Sequence, residues 1–199
     1  LLLSMIIKPK PPKAVIFDLD STVLTLYGKQ EGAEIGYNPK KKGRASYHPL
    51  LCFNGITKDF WHGELRYGNT HTATGVIDLL KACFDKLPYS TNTVIIRADK
   101  GFYDHDTVEY LEDKKSLFVI VSKLTKPLKW KLHNLSYKRY TSGTETAEFK
   151  YQPIKWKKEY RFIVIRRTIP EESSEQLTLF KIGSYTYQVL VTNIKLNPL

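Results

Sequence analysis

Ala14-Val15-Ile16-Phe17-Asp18-Leu19-Asp20-Ser21-Thr22 is an apolar run that ends in two acids. Pro9, Pro11 and Pro12 precede it, so Ala14 to Phe17 reads as a buried strand entered from a linker. Side chains alternate along a strand, which puts Asp18 and Asp20 on one face, and at the strand's carboxyl end both reach a sheet edge. A second stretch ends in the same way. Val94-Ile95-Ile96-Arg97-Ala98-Asp99 is apolar without alternation, as is Leu117 to Val121. Such runs suit strands covered on both faces, and a helix capped by Asp104 between them makes a βαβ unit.

Between these two acid-tipped strands, Gly28 to Pro49 is glycine-rich and basic and reads as a solvated loop. His48 to Ile56 and Phe60 to Tyr67 flank a short turn and predict an antiparallel hairpin, so the first three strands form a meander. Val76, Leu80, Cys83, Phe84 and Leu87 recur at helical spacing, with Thr72 or Thr74 as cap and Pro88 as stop, predicting a helix over 73–87. After about Thr125 the chain turns to aromatic, basic and β-branched segments. Glu148 to Gln152, Glu159 to Ile169, Gln176 to Ile182 and Tyr185 to Ile194 are expected to be antiparallel strands. Asn197 and Pro198 look like a helix cap and first helical residue. With no methionine at the start, the chain reads as a fragment of a longer protein.

The bulk numbers restrict the partners. Thirty-one Lys and Arg against twenty Asp and Glu leave a net charge of +11, which favours polyanions such as nucleic acid or an acidic membrane surface. Leu1 to Ile7 is far shorter than the ~20 residues of a membrane-spanning helix, and no basic segment precedes it as in a signal peptide. Cys52 and Cys83 have no metal-ligand spacing and make no disulfide framework in a chain this long, so both are expected in the core of a protein from a reducing, cytoplasmic setting.

Acids gathered at adjacent strand ends beside a basic surface suit magnesium-dependent phosphoryl transfer. Two ions ~3.5–4 Å apart, held by carboxylates, stabilise both the attacking and the leaving oxygen of an in-line displacement. Arg97 is given no catalytic role. Val15 to Val23 also resembles the first motif of haloacid-dehalogenase-type phosphatases, with Asp18 as nucleophile and Asp20 as general acid. That family implies a doubly wound parallel sheet, whereas a basic loop and a hairpin follow here, and Asp99 and Asp104 do not reproduce its later acidic motif. A further alternative is a DNA-binding module without catalysis, its acids purely structural.

A longer set of motifs discriminates between these. Asp20-Ser21-Thr22, Tyr27-Gly28-Lys29-Gln30-Glu31-Gly32-Ala33, Gly36-Tyr37-Asn38-Pro39-Lys40-Lys41 and Tyr47-His48-Pro49-Leu50 are followed by Arg66-Tyr67-Gly68-Asn69-Thr70-His71 and Arg97-Ala98-Asp99-Lys100-Gly101-Phe102. In order and spacing they resemble one branch of DDE-type insertion-sequence transposases, closely over Val15 to Val121 and loosely beyond. The resemblance implies an α/β fold: an RNase H-like mixed five-stranded sheet with flanking helices, interrupted before its last helix by a β-rich insertion. The corresponding units are a linker over 1–13, an incomplete catalytic core over 14–125 and the insertion region over 126–199.

The same resemblance makes Asp20 and Asp99 the first two metal-binding acids of a polynucleotidyl transferase. Asp18 is auxiliary, or a further ligand by its same-face geometry. The third acid of the family is a glutamate in a Tyr, Arg, Glu signature that these residues do not contain, so the fragment is expected to bind metal weakly and to be inactive. Mg2+, with Mn2+ as substitute, would form the two-ion site only in the complete protein. The implied partners are double-stranded DNA and transposon ends, met as a homodimer in a synaptic complex, in a bacterial cytoplasm at the nucleoid and with no membrane. Lys100 departs from the small residue usual after the second acid, and reads either as a phosphate contact or as a solvated turn lysine.

For DNA backbone contacts the candidates are Lys40, Lys41, Lys42 and Arg44 near the acids, and Lys155, Lys157, Lys158, Arg166 and Arg167 further on. Neutralising phosphates releases counterions and makes affinity salt-dependent. Trp156, flanked by lysines, is the aromatic expected to face DNA.

Overall fold

Val15, Phe17 and Leu19 point to one side of the first strand and are buried, while Ile16, Asp18 and Asp20 point to the other and are partly or fully exposed. That alternation sets which face of the sheet becomes core. The computed structural model describes residues 13–39, 41–169, 180–182 and 184–195. The expectations for Leu1 to Ile7, the prolines before Ala14, Lys40, Asn197 and Pro198 lie outside them, as does most of the segment from Gln176.

In chain order the elements are β1 (Ala14–Ser21), β2 (Leu24–Thr25), β3 (Glu34–Ile35), β4 (Ala45–Tyr47), β5 (Leu50–Asn54), β6 (Phe60–Glu64) and α1 (Val76–Asp85). There follow β7 (Thr93–Ala98), α2 (His105–Asp113), β8 (Leu117–Val121), α3 (Lys126–His133), β9 (Lys138–Thr141), β10 (Thr144–Tyr151), β11 (Tyr160–Thr168), β12 (Phe180–Ile182) and β13 (Tyr185–Thr192). The main sheet runs β6-β5-β1-β7-β8-β13-β11-β10-β9, with β12 on β13. Its first five strands are the expected mixed sheet. The meander β6-β5-β1 is antiparallel, and β7 and β8 lie parallel to β1 on its other side. An antiparallel neighbour on β1 does not occur in a doubly wound parallel sheet, so the fold removes the ground for the phosphatase alternative.

The core fills the face carrying Phe17, Ile96, Phe118 and Ile120, against Val76, Leu79, Leu80 and Cys83 of α1 and Val108 and Leu111 of α2. Cys52 and Cys83 are both buried free thiols in it. Asp104 caps α2 as expected, accepting from the backbone of Asp106 and Thr107. Helix α1 starts later than expected: left-handed Gly75 precedes it, and neither Thr72 nor Thr74 caps it.

Three further differences are informative. Lys126–His133 is a helix where β structure was expected; Pro127 in its first turn and the buried pair Leu128 and Leu132, four residues apart, are its signals. The stretch expected as a solvated loop holds β3 and β4, which form a small sheet with β2 in the order β2-β4-β3, and its Asn38, Ser46 and His48 are buried. Finally, the strands beyond Thr125 extend the main sheet, because β13 pairs with β8 through Leu190 to Val121 and Val191 to Ile120. Asn193 reinforces that seam, accepting from Phe118 N–H at 3.0 Å and donating to Ser116 O at 2.9 Å.

Candidate functional site at the ends of β1 and β7

The ladder between β1 and β7 ends with Leu19 beside Ala98. Asp20 and Asp99 are the next residues on these neighbouring parallel strands, whose backbones run ~4.8 Å apart. Asp99 keeps an extended backbone, so alternation continues through it and its side chain leaves on the face shared by Arg97, Asp18 and Asp20. One step back on that face, Asp18 and Arg97 are register partners and join through two hydrogen bonds of 2.6 Å.

The three acids differ in what they touch. Asp18 takes Arg97 in a bidentate pair and has Lys58 at 3.6 Å. The Arg97 hydrogen bonds hold its carboxyl below the ordinary aspartate range, against the opposing effect of partial burial. Asp20 accepts the N–H of Ser21, at 2.8 Å, and Asp99 that of Gly101, also at 2.8 Å. Among the described residues no Lys, Arg or His pairs with either. In a chain of net charge +11, Asp20 and Asp99 are exposed carboxylates at neighbouring strand ends without a cation, and carboxylate oxygens are the donors that hard divalent ions prefer.

The loop after β6 supports Asp99 from below. Arg66 donates its Nε to His48 O at 2.9 Å and its Nη1 to the carbonyls of His71 and Thr72, each at 3.3 Å, and of Thr74. One half-buried guanidinium thus gathers four carbonyls and shapes the turn before α1, whose Thr72 lies against Gly101 just beyond Asp99. The turn ends at left-handed Gly75, after which α1 begins. His48, 7 % exposed, is fixed through Nδ1 to Thr70 O at 2.7 Å.

Ser21, Thr22, Tyr37, His48, Thr72, Asp99 and Lys100 line a hollow of about 320 Å3 at this edge. Asp99 belongs to its wall; Asp20, one residue before Ser21, does not. Lys100 opens the 3-10 turn that Asp99 caps.

The basic candidates separate into two kinds. Lys41, Lys42 and Arg44 are exposed, with Lys41 and Arg44 lying 5.4 and 5.9 Å from the ring centre of Tyr27. Lys155 and Arg167 are exposed as well. Lys157 and Lys158 instead pair with Glu109 and Glu112, and Arg166 pairs with Glu145 at 2.5 Å while stacking on Tyr137 and Tyr185. The expectation for Trp156 is corrected: it is 7 % exposed, packed between Tyr103, His105 and Tyr160, because its indole closes the core over α2.

His105, Asp106 and Glu109 of α2 also bring three ligand atoms within 4.8 Å of one another. Lys157 already occupies Glu109 there.

Reading the sequence missed Arg66 and Arg97. The alternation that joins Asp18 to Asp20 also joins Arg97 to Asp99, so the pairing of Arg97 with Asp18 was available from strand register. Arg66 opens the motif that runs to His71, but nothing in that motif shows that its guanidinium gathers carbonyls from two segments, His48 and residues 71–74.

A family model described as Transposase DDE domain group 1 matches residues 1–197. No curated protein matches the chain. Among solved structures, the chain is similar to a piggyBac transposase in a synaptic complex with hairpin DNA, with a TM-score of 0.51 and 15% identity over 94% of this chain. The match covers 34% of that protein, so the present chain spans about a third of its length.

Proposed function

The chain belongs to the transposase DDE domain family, group 1, and we propose that Asp20 and Asp99 are its first two metal-binding acids in DNA cleavage and strand transfer. The observation that carries this reading is the contrast in charge: Asp18 takes two cations, while Asp20 and Asp99 share a face and take none among the described residues. Their donors fit Mg2+, with Mn2+ as substitute, since both ions prefer carboxylate oxygen. When bound, such ions lower the pKa of water or of a 3′-hydroxyl and offset charge on the leaving oxygen. The chain's own part is to hold two carboxylates rigidly, Asp99 through Gly101 N–H and Asp20 through Ser21 N–H.

In this reading Asp18 is structural, its charge being spent on Arg97. The 199 residues carry two of the three acids that the family resemblance implies, so metal binding rather than turnover is their expected activity. Residues 14–125 correspond to the nuclease core and 126–199 to the insertion region. DNA is met as double-stranded transposon ends by a homodimer, in the bacterial cytoplasm. Lys41, Lys42, Arg44 and Lys100 are the backbone contacts nearest the acids; Lys155 and Arg167 serve further out, and Lys157, Lys158 and Arg166 less, being paired.

Calorimetric titration with Mn2+ tests the site. Asp20→Asn and Asp99→Asn should each weaken binding by at least about tenfold, as removing one of few charged ligands does, while Asp18→Asn leaves it near the parent value. Equal affinity in all four proteins would refute the assignment.

A further inference from the structure

Tyr37 is 78 % exposed, yet the chain on both sides of it is pinned. At Gly36 an added Cβ would fall within 3.0 Å of Gly68 O and Asn69 Cα, so backbone lies directly on backbone there. At Asn38, 4 % exposed, the side chain donates to Thr25 Oγ1 at 2.8 Å and accepts Lys41 N–H at 2.9 Å. The Tyr37 ring therefore stands on a stiff stem, and among the described residues no other ring or cation meets it. It lines the same hollow as Asp99 and Lys100.

Its surroundings indicate what it would take. Exposed Tyr27 lies beneath Lys41 and Arg44, and its hydroxyl is held below its ordinary range by the hydrogen bond with Lys41 first and then by the charge of Lys41 and Arg44. Flat rings interleaved with cations suit a strand that offers both phosphates and base faces. Paired DNA supplies the phosphates but keeps its base faces stacked inside, so a ring fixed in place gains a partner only where a nucleotide is unpaired.

We propose that Tyr37 stacks on an unpaired nucleotide of a DNA strand whose adjoining phosphate lies at the Asp20 and Asp99 edge, with Lys41 and Arg44 along the backbone. Tyr37 is then a positioning residue, selecting locally opened DNA over intact duplex. This rests on the site reading above, which supplies the phosphate's place.

The test measures binding of the 199-residue chain, by fluorescence anisotropy, to a fully paired duplex and to one with a single-stranded gap containing 2-aminopurine. The parent chain should prefer the gapped DNA and quench the 2-aminopurine. Tyr37→Ala should bind the gapped DNA about tenfold more weakly, within the range of one base–aromatic stack, and keep its affinity for the duplex. Tyr37→Trp, which retains a stacking face, should keep both. Unchanged gapped binding in Tyr37→Ala, equal weakening on both DNAs, or unquenched 2-aminopurine in the parent complex overturns the proposal. Mn2+ titration of the same proteins separates the two readings. Failure at Tyr37 with Asp20- and Asp99-dependent metal binding intact removes the stacking alone; selective weakening at Tyr37 without such metal binding upholds the stacking and removes the metal site.

Discussion

Asp18 and Asp20 lie two residues apart on one face and are used differently, because only Asp18 has a basic residue opposite it in the parallel register. Its pairing with Arg97 makes a pH prediction with a definite sign. The folded carboxyl binds its proton less readily than the unfolded one, so the pair stabilises fully above the unfolded value of about 3.9 and that contribution is lost as pH falls through the lower folded value. Arg97 is 47 % exposed and solvent screens the pair, so Asp18→Asn should cost about 1 kcal/mol at neutral pH. Urea unfolding at several pH values would read this as a difference that shrinks in acid. A difference independent of pH would mean that the ion pair contributes nothing.

The small sheet β2-β4-β3 and the Arg66 turn are the elements that carry the site's edge. Gly68 lies so close to Ser46 O and Glu34 O that any Cβ would overlap backbone, whereas Gly43 has open space and only a left-handed φ of 74°. Gly68→Ala should therefore dislodge β3 from β4 and disorder the Tyr37 stem, while Gly43→Ala should cost about 1 kcal/mol of backbone strain with the stem intact. Thermal melts together with amide exchange across β4 distinguish the two. Arg66→Lys keeps the charge but cannot reach four carbonyls from one planar group. Its expected effect is faster exchange over 70–75 and weaker Mn2+ binding, through displacement of the Asp99 turn; parent-like exchange there would deny Arg66 the role of organiser.

For the molecule as a whole, the seam between β8 and β13 joins the first five strands to the later ones in a single hydrogen-bonded sheet. Val191 is fully buried on that seam. Val191→Ala should cost on the order of 2 kcal/mol and lower the protection of β1 and β11 together, since both depend on the same core. Reduced protection confined to β11 would show two independently unfolding halves. DNA binding should weaken steeply with salt, and replacing Lys41, Lys42 and Arg44 by alanine should flatten the log–log slope by roughly 0.9 for each phosphate that is no longer neutralised. The paired Lys157 and Lys158 should change it less, because each already has a carboxylate.

The sequence alone determined β1, β7 and β8, the acid at the end of β1 and of β7, and the order of motifs, because these depend on neighbours a few residues apart: alternation in β1, the apolar run of β7, the Asp104 cap. It also carried the family resemblance on which the first five strands of the fold could be anticipated. Tertiary structure alone decided which acid is neutralised, that Trp156 is buried, that Gly28 to Pro49 folds, and that the later strands prolong the sheet. Each of these depends on groups distant in the chain: Asp18 and Arg97 are 79 residues apart, and Phe118 and Asn193 are 75. Pairings over such separations follow from register and packing, which local composition does not specify.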